Sequence, residues 1–238
     1  MISIIILAYN NDKYLKKAIN SCLRQTKKDC IEIIVINDGS TDNTSKILKT
    51  YNERIKVFNK KNQGIEKSFN FALKKISGDF FLRLDADDYL NEEYIEIFCK
   101  HLQKKYDFFY SNYYIISNRN KVISNSELPN FDKKEIMSRG DFLASGTMFR
   151  KSVLKIVNGY NTSTVNCGLE NYEFILKLIN RDLKGYLINK PLWKYRIHND
   201  NMSKLKKEKI ISYGKSIFKN KNYGIYKTNK YHPHGFEV

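Results

Sequence analysis

Unbroken apolar runs alternate with segments of helical period over the first ninety residues. Ile2-Ser3-Ile4-Ile5-Ile6-Leu7 is β-branched without polar alternation, the pattern of a strand covered on both faces in a parallel sheet. After it, Asp12 can cap a helix that puts Tyr14, Leu15, Ala18, Ile19, Cys22 and Leu23 on one face. Ile33 to Ile36 repeats the strand signal, and Asp38 to Asp42 is a turn rich in N-cap residues. A short strand at Ile55 to Phe58, a helix carrying Phe69, Ala72, Leu73 and Ile76, and a strand from Phe80 into Asp85 complete a β-α alternation. Such alternation predicts an α/β fold with a mostly parallel sheet and right-handed crossovers.

The pattern then becomes mixed. A helix through Leu102, a tyrosine-rich strand from Phe108 to Ile116 and a hairpin partner at Lys121 to Ser124 are expected. So are a helix from Asn171 to Asn180, a strand from Gly185 to Ile188, and a basic helix from Lys204 to Lys219 anchored by Leu205, Ile210, Ile211 and Ile217. No Pro/Gly/Ser-rich linker separates the halves, so one continuous sheet is predicted.

At 238 residues with 42% hydrophobic positions, one large domain is the expectation. The formal charge of +17 first suggests a polyanion partner, but the lysines are spread along the chain, which argues against nucleic acid. From Ser203 onward nine lysines face two glutamates, a composition suited to anionic lipid headgroups. The four cysteines lie far apart, with no metal or disulfide spacing, and fit a reducing cytosol. The opening apolar run lacks a basic leader and reads as a strand rather than a signal segment.

Ligands in open α/β sheets bind beyond the carboxyl ends of the strands. Three polar clusters occupy that edge, Tyr9-Asn10, Asn37 to Ser40, and Asp85-Ala86-Asp87-Asp88, although each alone is also ordinary turn chemistry. Three carboxylates in four residues repel unless a cation is present, and Mg²⁺ or Mn²⁺ takes carboxylates together with substrate phosphates. A metal-diphosphate substrate follows. Neither a P-loop nor a Gly-x-Gly-x-x-Gly fingerprint is present, which weakens the NTPase and dehydrogenase readings.

The ordered set Ser3-Ile-Ile-Ile-Leu-Ala-Tyr-Asn10, Ile36-Asn-Asp-Gly-Ser-Thr-Asp42, Asn62-Gln-Gly64 with Asn70, and Leu84-Asp-Ala-Asp-Asp88 resembles the inverting family 2 glycosyltransferases over residues 2 to about 203. The resemblance implies a Rossmann-like GT-A fold, with a nucleotide-binding half at about 1–90, an acceptor half at about 91–203, and a basic helix and tail at 204–238. It implies a nucleotide-sugar site of Ala8, Tyr9, Asn10, Asp38, Asp85, Ala86 and Asp87. Ala8 and Tyr9 would wall the base, Asp38 would accept a hydrogen bond from base or ribose, and Asp85 would contact the ribose and the metal site. Asp87 would bind the Mn²⁺ or Mg²⁺ directly, with His198 of Trp193-Lys-Tyr-Arg-Ile-His198 reaching the metal or diphosphate. Ser145-Gly146 resembles a small-residue loop beside donor and acceptor.

The family's base is the Asp of a Glu-Asp pair, and Asn171 stands there in Gly168-Leu-Glu-Asn-Tyr-Glu-Phe-Ile-Leu-Lys-Leu178. An amide cannot accept the proton, so Glu170 or Glu173 takes the role or the protein is slow or inactive. Glu170 is the expected base and Glu173 a solvated carboxylate; His232 and His234 receive no role. The reading is a metal-dependent, inverting hexosyl or N-acetylhexosaminyl transfer from a UDP-sugar to a surface polysaccharide or lipooligosaccharide hydroxyl. The setting would be cytoplasmic, at the inner membrane face. The rivals are a non-catalytic nucleotide- or glycan-binding homologue and a nucleotidyltransferase, the latter lacking its Gly-rich loop where Ala8-Tyr-Asn-Asn11 stands.

Overall fold

The computed structural model describes residues 1–142 and 145–238. The first half builds β1 (Ile2–Ala8), α1 (Asp12–Leu23), β2 (Ile31–Asn37), α2 (Thr44–Lys49), β3 (Lys56–Asn59), α3 (Ile65–Leu73) and β4 (Phe80–Asp85). β1 pairs in parallel with β2 and β4, and β3 extends the parallel set beyond β2. With neighbours on both sides, β1 buries Ile2, Ile4, Ile5 and Ile6, which is why its run carries no polar alternation.

The second half continues the same sheet with β5 (Tyr89–Leu90), α4 (Tyr94–Cys99), β6 (Phe108–Ser117), β7 (Val122–Ser126), α5 (Lys133–Arg139), β8 (Thr147–Arg150), α6 (Glu170–Ile179), β9 (Gly185–Ile197), α7 (Met202–Leu205) and α8 (Lys207–Lys221). The order is β3-β2-β1-β4-β8-β6-β9-β5, with β7 on β6, and β8 runs antiparallel to both β4 and β6. This order forces curvature. In a flat sheet, four strand spacings of about 4.8 Å would part β4 from β5 by about 19 Å. The four residue steps from Asp85 to Tyr89 reach at most about 14 Å. The sheet therefore curls, and the Asp85–Asp88 turn lies where it closes.

Several expectations are corrected. β9 does not stop at Ile188: it runs thirteen residues, with Pro191 opposite Asn112 where the register slips, so the missing N–H falls at an irregularity. The basic helix is two helices, α7 and α8, and Leu205 is exposed rather than an anchor, whereas Ile210 and Ile217 are buried. Ile76 and Leu102 lie beyond the ends of α3 and α4. Asp12 is the first residue of α1, not its cap, and its carboxylate instead accepts from Asn43. Short β8 and α5 had no periodic pattern long enough to read.

Residues 222–238 pack back onto the body. Tyr226 donates to the Gly140 carbonyl at 2.7 Å, Arg139 donates to the Tyr231 carbonyl at 2.7 Å, and Tyr226 and Phe236 join the main core. His232 and His234 are thus built into the structure. Burial holds His232 at about 3, with His234, Arg139 and Lys207 adding to the effect, and burial holds His234 at about 4.

Both values are depressed below an ordinary 6.5, so a released segment binds protons that the docked one refuses. The docking stabilisation is complete above about pH 6.5 and is lost as pH falls toward 4. Hydrogen exchange of residues 224–238, corrected for intrinsic rate, is expected to accelerate between pH 7.5 and 5, and unchanged protection would refute this.

Candidate active site

A cavity of about 700 Å³ opens at the carboxyl ends of β1 and β4. It is lined by Ala8, Tyr9, Asn10, Asp38, Asp85, Ala86, Asp87, Glu170 and His198, so the expected site residues converge on one space. Tyr9 is half exposed at its wall while Ala8 is buried. Asn10 takes a left-handed conformation, φ 54°, and ties two loops together: its N–H donates to Ser40 Oγ and its Oδ1 accepts from Thr41 N. Asp38 accepts from Lys60 Nζ at 3.0 Å and from the backbone N–H of Gln63 and Gly64, which places the 60–64 loop over the cavity.

Of the three clustered carboxylates, only Asp85 and Asp87 line the cavity. Asp88 turns inward, where its Oδ1 accepts from Arg196 N at 2.9 Å and its Oδ2 has no partner among the described residues. Burial, then the charges of Asp87 and Asp85, push its carboxyl well above the usual range. The fully buried Arg196 donates to the Asp87 carbonyl at 2.7 Å, and the β5–β9 pairing continues that contact. Together they bring His198 Nε2 to 2.9 Å from Asp87 Oδ2, across 111 residues of sequence. Tyr14, expected in the core, is instead half-buried beside this pair, its ring 5.1 Å from that of His198.

Asp87 and His198 share one approach, with Asp85 on the same wall, and carboxylate oxygens plus one imidazole suit Mn²⁺ or Mg²⁺ together with phosphate oxygens. A second acidic group, Glu66, Cys167 and Glu170, is buried, but Glu66 already accepts from the N–H groups of Asn166 and Cys167.

Arg83 was not singled out from sequence. From β4 it grips Asp85 with Nε at 2.7 Å and Nη2 at 3.2 Å, while Nη1 donates to Glu170 Oε1 at 2.8 Å and to Tyr160 OH at 3.3 Å. Glu170 is therefore turned inward, but in an ion pair. Tyr160 OH donates in turn to Asn171 Oδ1 at 3.0 Å, leaving the buried Asn171 Nδ2 without a partner among the described residues. Asn70 clamps the Tyr160 backbone in both directions. Glu173 is not solvated: it is buried and accepts from Tyr213 OH at 2.8 Å. Gly146, φ 69°, meets the Trp193 indole where a Cβ would lie 2.9 Å from the ring.

The cavity is lined by one more largely buried carboxylate. Asp141 follows the left-handed Gly140 that ends α5, and its side chain is only 13% exposed. Oδ1 accepts from Phe142 N at 2.7 Å and Oδ2 lies 3.6 Å from His234 Nε2. Burial pushes it up to about 7, the Glu170 charge adding to this and the Phe142 N–H, Arg139 and Arg83 opposing it.

The glycosyl transferase family 2 model matches residues 3–156. An uncharacterized glycosyltransferase of Methanocaldococcus jannaschii is 29% identical over 237 residues, covering 94% of this chain and 81% of its own. Other curated relatives are longer, and the chain spans between 17% and 33% of their length. S. aureus TarS 1-349 in complex with UDP-GlcNAc superposes with a TM-score of 0.69 at 20% identity, covering 97% of this chain and 74% of that one. The mannosyltransferase PcManGT from Pyrobaculum calidifontis, in complex with GDP-Man and Mn²⁺, superposes with 0.72 at 13% identity, covering 98% and 67%. At these identities the structures speak for the fold, which is GT-A.

Replacing Arg83 by Met leaves Glu170 buried without its cation and is expected to destabilise the fold by about 3–5 kcal/mol. Adding Glu170→Gln should restore part of that loss, as read from urea midpoints; additive losses would show that the pair is not coupled.

Proposed function

Because this chain belongs to glycosyl transferase family 2, we propose that it transfers a hexose or N-acetylhexosamine from a UDP-sugar, with a bound divalent metal and inversion at the anomeric carbon. The observation that carries this reading is the convergence of Asp85, Asp87 and His198 beside the Tyr9 wall. Tyr9 offers a ring face to a uracil, and Ala8 lets the base approach the backbone. Asp38 acts here chiefly by fixing the loop that covers the nucleotide. Asp87 and His198 would hold Mn²⁺ or Mg²⁺, with Asp85 kept in line by Arg83. When bound, the ion neutralises charge growing on the departing diphosphate. The UDP-GlcNAc and GDP-Man complexes of the two structural neighbours support a nucleotide-sugar donor.

For the acceptor we take a hydroxyl of a surface polysaccharide or lipooligosaccharide, presented at an anionic membrane face. Among the described residues no helix is long and apolar enough to cross a membrane. α8 turns Ile210, Ile217 and Phe218 inward and Lys207, Lys209, Lys215 and Lys219 outward, an arrangement suited to lipid headgroups. Asn171 favours a second reading, a binding homologue without turnover, which predicts UDP-sugar affinity with no UDP release.

With Mn²⁺, a UDP-sugar at about 100 times its Kd should raise Tm by about 5–10 °C. Asp87→Asn should abolish the shift. No shift from any uridine compound, with or without metal, would remove the donor assignment.

A further inference from the structure

We infer that Asp141 is the general base of the transfer, with Asn171 and the C-terminal segment completing its acceptor subsite. The inference deepens the transferase reading and rests on it. Direct displacement at the anomeric carbon requires a group that takes the acceptor's hydroxyl proton. Seven carboxylates line the cavity; Asp200 is exposed, Asp12 is bound to Asn43 and Asp38 to Lys60 and the 63–64 N–H groups, which leaves four to be considered. Asp85 and Asp87 face the diphosphate side, and Asp85 is gripped by Arg83. Glu170 is committed to the same guanidinium and accepts from Cys167 Sγ. Asp87 is taken up by His198, so Asp141 is the one of the four that neither a lysine or arginine nor a proposed metal-side residue holds among the described residues; its neighbour within reach is His234, which burial keeps neutral.

The surroundings of Asp141 are those of a base kept for use. Arg139 from α5, Glu170 and Tyr172 from α6, Arg83 from β4, Tyr113 from β6, and Tyr226 and His234 from the C-terminal segment face it. The balance leaves its carboxyl near neutrality, where a base both deprotonates readily and accepts a proton effectively. Asn171, on the same cavity, presents an Nδ2 donor that is buried and has no partner among the described residues. An acceptor sugar can satisfy it, since a lone buried donor costs stability until an oxygen arrives. Pro233 and His234 close the wall behind Asp141, and Tyr226 holds the Gly140 carbonyl just before it.

The step balances as follows. The acceptor oxygen bonds to the anomeric carbon, the bond from that carbon to the β-phosphate oxygen breaks with its electron pair leaving on UDP, and the hydroxyl proton passes to Asp141. Solvent later removes that proton.

The test needs no knowledge of the acceptor, because water serves. Purified protein with Mn²⁺ and UDP-N-acetylglucosamine or UDP-glucose is assayed for UDP release from pH 5.5 to 9, and for donor binding by calorimetry. Wild-type release is expected to rise through a limb near pH 7, the deprotonated carboxylate being the active form. Asp141→Asn should bind donor with unchanged Kd, lose about 100-fold or more in release, and lose the limb. Asp141→Glu should regain part of the rate. Release by Asp141→Asn within about threefold of wild type, with its limb intact, overturns the inference. So does Glu170→Gln if it alone abolishes release while keeping donor affinity and Tm. A wild type that binds no UDP-sugar sinks the transferase reading itself, and the base with it, and is told apart by the binding arm.

Discussion

One buried cation organises this site. Arg83 stands two positions before Asp85 on β4, so strand periodicity puts both side chains on the same side of the sheet, and the guanidinium can hold Asp85 in a fork while reaching Glu170 on α6. A lysine could not do both, because a single ammonium lacks the planar fork. Through this residue β4, which leads into Asp85 and Asp87, and α6, which carries Glu170, share one electrostatic unit. Tyr160 extends it to Asn171, and Asn70 fixes Tyr160 from behind. The two sides of the cavity are therefore tied together by hydrogen bonds through Arg83 and Tyr160.

What could be read from sequence follows from how far each signal extends along the chain. β1, β2 and β4 were legible because double-sided burial demands uninterrupted apolar runs, and the clusters at their ends follow directly in sequence. The convergence of Tyr9, Asp85 and His198 was legible only through the ordered motifs. β9 was read as four residues instead of thirteen because Lys190, Pro191, Lys194 and Arg196 break its pattern, although each is accommodated: Pro191 at a register slip, Arg196 by four carbonyl and N–H contacts at the Asp85–Asp88 turn and its surroundings. Arg83 lies within the strand read from Phe80 into Asp85, and nothing local announces a partner eighty-seven residues away. Asp141 sits in a loop whose composition is unremarkable; only the fold reveals what surrounds it.

The C-terminal residues show the same limit from another direction. Composition suggested a basic tail suited to lipid headgroups and gave His232 and His234 no role, yet Tyr226, His232 and Phe236 are buried. Aromatic rings spaced irregularly in a lysine-rich segment carry no period, so their burial is a tertiary fact rather than a local one. Their position makes the end of the chain part of the cavity wall, alongside residues from the middle of the sequence.

The curled sheet has a consequence for how the protein comes into being. The Asp85–Asp88 turn is complete early in synthesis, but β5, which holds its far end, pairs with β9, and Arg196 and His198 arrive more than a hundred residues later. Until that closing strand emerges and docks, the paired aspartates have neither their imidazole partner nor the backbone clamp that aims them. Loop closure over such a span is entropically slow, so β1 to β4 can pair while Asp87 still lacks its partner. The finished geometry of that turn thereby becomes a report that translation has passed residue 198.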